Sequence, residues 1–189
     1  MQYHLTKEVQ RYFFTAAAHP SMSGKREFRD FLCKFALEEE PHFGIAQNDL
    51  ANLGEEVGES PLDVRLWHAY FSGVVQSKPY CRLGAAAVLE TIGTLASDVI
   101  KQLLKNADYL NESNTRFVVI HMHEALPHGA QFLLELSNSV PTNENLADLV
   151  AGAIDGGAMY LRMANWALGG DFVLNRLQGA SASRFSMQC

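Results

Sequence analysis

The sequence predicts an all-helical protein, and three observations carry that expectation. Apolar residues recur at helical spacing through most of the 189 positions, prolines and glycines punctuate them about once per helix length, and no alternating stretch of strand length stands out. With 48% apolar residues the chain can bury one sizeable core, so 1–189 is expected to form a single helical domain with a flexible polar tail at about 179–189.

The first helix is expected over about 4–18, where Leu5, Val9, Tyr12, Phe13 and Phe14 keep helical spacing and His19-Pro20 stops the pattern. Ser21 and Ser23 are candidate caps for the next helix. Its stripe of Phe28, Phe31, Leu32, Phe35, Ala36 and Leu37 runs into the acidic stretch Glu38-Glu39-Glu40, and Pro41 should kink or restart it. The pattern resumes through Phe43, Ile45, Leu50 and Leu53 to Gly54, a C-terminal cap. Ser60-Pro61 opens a helix from Leu62 to about Gln76, with Leu66, Trp67, Tyr70, Phe71 and Val74 on one side.

Pro79 begins the least polar helix, expected over about Tyr80–Lys105, where Glu90 is the only acid between Arg82 and Asp98. The residues near it on that face, Ala86, Ala87, Gly93 and Thr94, are small, which leaves room for a neighbouring helix or for Glu90 to reach an ion. After a polar loop at about 106–115, the stretch 116–136 sets ionisable groups inside an apolar helical pattern. At about 100° per residue His121, Glu124 and His128 share a face and His123 points away. Pro127 interrupts that helix, at about 3 kcal/mol if it stayed regular. Val140-Pro141 turns into a last long helix marked by Leu146, Leu149, Val150, Ile154, Tyr160, Leu161, Met163 and Trp166, with Gly156-Gly157 expected to break or bend it and Gly169-Gly170 to end it.

Composition excludes several functions. A net charge of -6 with no Lys/Arg cluster argues against nucleic-acid binding. The N-terminus lacks a basic segment followed by an apolar one, and no run of about 18 apolar residues occurs, so a soluble cytoplasmic protein with no membrane partner is expected. Cys33, Cys81 and Cys189 are odd in number and scattered, which suggests neither a disulfide framework nor a zinc knuckle. The expected partner is a small molecule, and a homodimer is left open.

The chemistry-bearing residues lie on three helical stretches: Glu39 and His42 as Glu-x-x-His, Glu90 alone, and His121, Glu124 and His128. Residues three apart on a helix are surface neighbours, so such a pair can aim an oxygen and a nitrogen at one ion. Burying acids and imidazoles costs several kcal/mol unless they pair or bind a metal. Paired core histidines are the competing reading. Carboxylates with imidazoles suit iron better than a closed, thiolate-rich zinc site.

This order of motifs resembles the haem-oxygenase-like family of non-haem di-iron oxidases and oxygenases. Ala36-Leu-Glu-Glu-Glu-Pro-His-Phe43 looks like that family's first motif, Gly84-Ala-Ala-Ala-Val-Leu-Glu-Thr91 like its second, and His121 with His128 like its third. The resemblance spans most of residues 25–136 and implies a compact helical bundle, one or two Fe ions as cofactor, dioxygen, and a small carboxylate-bearing substrate such as an amino acid or fatty acid. Arg82 and Arg162 are candidates to hold that carboxylate. The chain departs from the family at Ala125, where an Asp is usual; Glu124 is one position earlier, and the substitution implies a weaker second ion. Two alternatives are a metal-free TenA-like hydrolase or binding protein of the same fold, which would need a pocket cysteine, and a non-enzymatic helical adaptor.

Overall fold

The computed structural model describes residues 1–123, 128–139 and 142–167, and among these there is no strand. In chain order the helices are α1 (Gln2–Thr6), α2 (Val9–Ala18), a 3-10 turn (Pro20–Met22), α3 (Arg26–Glu39), α4 (His42–Asn52), α5 (Leu62–Ser77), α6 (Pro79–Leu95), α7 (Ser97–Asn106), α8 (Arg116–His123), α9 (His128–Asn138) and α10 (Asn143–Ala167). The all-helical expectation holds for the described residues.

Helix α6 is the centre of the bundle. It is buried all round from Pro79 to Ala87, as a helix without a polar stripe must be. Helix α10 lies along it through small residues. A Cβ added at Gly152 would overlap the Cys81 carbonyl, and one at Gly156 would sit 2.8 Å from Ala85 Cα. The Gly156-Gly157 pair therefore does not break α10, as the sequence suggested; Gly156 permits close helix packing instead. For the same reason Leu146, Val150, Ile154 and Leu161 are exposed, whereas Gly152, Gly156 and Met163 are buried.

Around this pair, α2, α3 and α9 join through Phe13, Phe35 and Phe132. Their ring centroids are 5.0 Å (Phe13–Phe35), 5.4 Å (Phe35–Phe132) and 5.8 Å (Phe13–Phe132) apart. Such offset and edge contacts add to the area each ring buries.

Several boundaries differ from expectation. The first helix splits because Glu8 adopts φ -116°, ψ 7°, outside the helical region; Leu5 and Val9, on either side of the break, are both buried. Lys25, not Ser21 or Ser23, precedes α3, and the Ser21 backbone N–H donates to His19 Nδ1 at 3.1 Å. The long apolar helix ends at Leu95 and α7 continues at 49° to it; α7 has no buried residue, so the core does not hold the two on one axis. Pro41 separates α3 from α4 as expected. Gly54, at φ 77°, closes α4 with Gly54 N–H to Ala51 O at 3.0 Å and Glu55 N–H to Leu50 O at 2.9 Å, the paired bonds of a Schellman ending. No single described helix is long and apolar enough to cross a membrane. Val140, Pro141, Gly169-Gly170 and the expected tail lie outside the described residues.

Candidate metal centre

Of the acidic run, Glu39 alone faces inwards: it is 2% exposed, while Glu38 and Glu40 face solvent. Pro41 ends α3 and lets His42 open α4, so an acid and an imidazole three residues apart stay together across the helix junction. His42 Nδ1 lies 2.8 Å from Glu39 Oε2.

The other donors are brought in by close approaches to α6. A Cβ at Gly93 would lie 2.7 Å from the His121 carbonyl, and one at Gly129 would lie 3.0 Å from Thr91 Cα. Glycine at these two points lets α8 and α9 come against α6 beside Glu90. Asp49 on α4 fixes the start of α8: its Oδ2 accepts the Phe117 N–H at 2.7 Å, satisfying one of the unpaired amides of the helix's first turn.

His121 Nδ1 lies 2.6 Å from the Phe117 carbonyl one turn earlier. A carbonyl only accepts, so the proton sits on Nδ1 and the Nε2 lone pair is free to ligate, the orienting bond common to metal-bound histidines. Burial pushes the His121 pKa down, outweighing that bond, and keeps the ring neutral. On the other side, His128 Nδ1 lies 2.9 Å from Glu39 Oε1 and 3.6 Å from Glu90 Oε2.

These charges set one another's protonation. Burial alone would raise the Glu39 pKa, but the bonds from His128 and His42 hold it at about 2. Burial opposes protonation of His128 and His42, yet the same bonds raise both, His128 to about 10. Glu90 shifts upwards because burial outweighs its contact with His128.

Two donor sets result among the described residues. One atom each from Glu39, His42 and His121 lie within 4.8 Å of one another, as do one each from Glu39, Glu90 and His128. Glu39, with two oxygens, belongs to both. A buried set of carboxylate oxygens and imidazole nitrogens without thiolate fits a divalent first-row metal such as iron, and the imidazole protons are what an entering cation would displace. The residues therefore fit one or two metal ions. Glu39, Glu90 and His121 also line a cavity of about 170 Å³, walled by Leu5, Val9, Trp67 and Leu89.

Of the other sequence candidates, Arg82 is fully buried and lines this cavity. Arg162 does not: it sits on the half-exposed side of α10 with Nε 2.9 Å from Asp63 Oδ1. The buried acid at the start of α5 is its partner there. Glu124, Ala125, Pro127 and the side chain of His123 lie outside the described residues. Neither Cys33 nor Cys81 lines the cavity, and burial raises the Cys81 pKa, the opposite of an activated nucleophile.

No family model and no curated protein matches the chain. Among solved structures it is similar to a domain of unknown function with a heme oxygenase-like fold from Shewanella denitrificans OS217, a crystal structure at 2.30 Å. The match has a TM-score of 0.77 at 21% identity and covers 94% of this chain and 75% of that one. The fold is haem-oxygenase-like.

Within this haem-oxygenase-like bundle, three features of the site escaped sequence reasoning. Asp49 gave no motif, because its partner is an amide 68 positions away. The sharing of Glu39 between two donor sets depends on how α9 docks. The third is the enclosure of Arg82, for which the only sequence signal was a lone cation at the start of the least polar helix.

Proposed function

We propose that the protein is a non-haem iron oxidoreductase that uses dioxygen on a small carboxylate-bearing substrate. The observation that carries this reading is Glu39, a buried carboxylate shared by two sets of nitrogen and oxygen donors at the wall of an apolar cavity. Glu39, His42 and His121 would hold one ion, and Glu39, Glu90 and His128 a second. Iron, when bound, supplies redox chemistry that none of these side chains provides.

The chain's own contribution is positional and electrostatic. The Phe117 carbonyl locks the His121 tautomer, so its Nε2 is presented without a proton to lose. Burial raises the Glu90 pKa even against the pull of His128 beside it, which makes it the weaker acid of the two carboxylates. Leu5, Val9, Trp67 and Leu89 keep the cavity apolar, which strengthens every charge interaction within it. The metal-free hydrolase reading finds neither Cys33 nor Cys81 at this cavity.

Anaerobic Fe(II) titration of the wild type and His121→Ala tests the proposal. Tight binding of at least one Fe(II) by the wild type, lost in the variant, with dioxygen consumed only by the iron-loaded wild type, is the expected result. Folded wild type that takes up no Fe(II), or His121→Ala with unchanged stoichiometry, would show the acids and imidazoles to be a structural ion-pair network.

A further inference from the structure

Arg82 is the largest charged group in the core, 1% exposed and at the wall of the cavity. Its guanidinium lies 4.8 Å from the Tyr12 ring centroid, 5.4 Å from Phe71, 5.7 Å from Phe13 and 5.8 Å from Trp67. Rings hold a cation by their faces but offer no lone pair to its in-plane N–H groups. Tyr12 does not supply the missing acceptor: its hydroxyl lies 2.8 Å from His68 Nδ1, whose other nitrogen donates to the His4 carbonyl at 2.9 Å. Arg82 Nε and Nη1 are buried with no hydrogen-bond partner among the described residues. Glu90, the acid on the same helix, is eight residues on, about 12 Å along the axis, and is beside His128. Burial moves the Arg82 pKa down to about 10, which leaves it a cation at neutral pH.

We infer that Arg82 is the anchor for the substrate's carboxylate, so that an acid with an apolar body binds with its head at the Arg82–Trp67 end of the cavity and its far end towards Glu90 and His121. A carboxylate matches the planar fork of donors that the rings leave unused. The walls between, Leu5, Val9 and Leu89, suit hydrocarbon. The cavity's 170 Å³ is room for on the order of ten water-sized groups, the scale of a medium-chain acid. The carboxylate is then not the end that meets the metal. Only this orientation rests on the iron reading; the anion subsite stands without it.

Calorimetry with metal-free protein and octanoate, against 1-octanol, reads the subsite. Octanoate should bind at least tenfold more tightly than the alcohol, with Arg82→Met losing that preference and Arg82→Lys retaining part of it. Helical circular dichroism checks that the variants fold, and the acid–alcohol comparison in the wild type decides if they do not. Equal binding of acid and alcohol, no octanoate binding at millimolar concentration, or binding that arises only after metal is added, would overturn the subsite. With Mn(II) in the metal site, the methyl end of octanoate should broaden more than its C2 protons in the NMR spectrum; the reverse would overturn the orientation. Octanoate binding that depends on Arg82 in protein unable to bind any metal would leave the subsite standing and remove the iron reading.

Discussion

Glu39 Oε1 lies 2.9 Å from His128 Nδ1, tying the end of α3 to the start of α9, while its other oxygen lies 2.8 Å from His42 Nδ1. One carboxylate therefore holds the two donor sets together. Glu39→Gln is expected to abolish metal binding at both positions, whereas Glu90→Gln weakens only the second. The check is Fe(II) stoichiometry by anaerobic titration; equal losses in the two variants would show that Glu39 is not shared.

Stability of the metal-free protein should fall as the solution becomes alkaline. The His128 pKa rises from 6.5 to about 10 on folding, so its contribution is complete below about pH 6.5 and is lost as pH rises towards 10. Glu39, lowered to about 2, works in the opposite sense: its contribution is present above the usual carboxylate range and is lost in acid. Melting temperatures of wild type and His128→Gln between pH 7 and 10 should diverge at the low end and converge at the high end. Parallel curves would show that His128 carries no such proton.

Metal binding at the second position should release protons, because His128 is protonated in the metal-free protein at neutral pH. Titrations in buffers of different ionisation enthalpy should return a proton count above zero, with affinity climbing from pH 6 to 8. A count of zero across that range would show that His128 is not protonated in the metal-free protein.

Asp49→Ala should reach the metal site indirectly. Removing the acceptor of the Phe117 N–H frees the first turn of α8, at about 1 kcal/mol of stability for a lost cap, and loosens His121 one turn on. Fe(II) affinity is expected to drop several-fold although Asp49 is in neither donor set. Unchanged affinity together with lower stability would confine Asp49 to a structural role.

The helix contacts give a pair of opposite expectations. Gly152→Ala pushes a methyl into the Cys81 carbonyl and should destabilise by roughly 1–3 kcal/mol in urea unfolding. Gly73→Ala, on the exposed side of α5 with nothing near its new methyl, should gain about 0.5–1 kcal/mol. Equal effects would refute the close approach of α10 to α6.

Sequence alone determined the helical class and the residues able to carry chemistry, because both are local: periodicity follows from 3.6 residues per turn, and a Glu-x-x-His pair or a lone acid in an apolar run is visible without neighbours. Tertiary structure decided the rest. Nothing local separates Glu39 from Glu38 and Glu40; only the burial of one face of α3 does so. Periodicity likewise gave Arg82 and Arg162 equal standing, yet Asp63 takes one to a half-exposed position and four rings enclose the other. In α10 the apolar side chains suggested a core face, and Met163, Leu149 and Tyr160 do pack inwards, but Leu146, Val150, Ile154 and Leu161 face out and the closest contact falls to the glycines, because α6 admits a second backbone only where no Cβ intervenes. Which side chains share a cavity depends on such distant close approaches, and their information is spread over residues far apart in the chain.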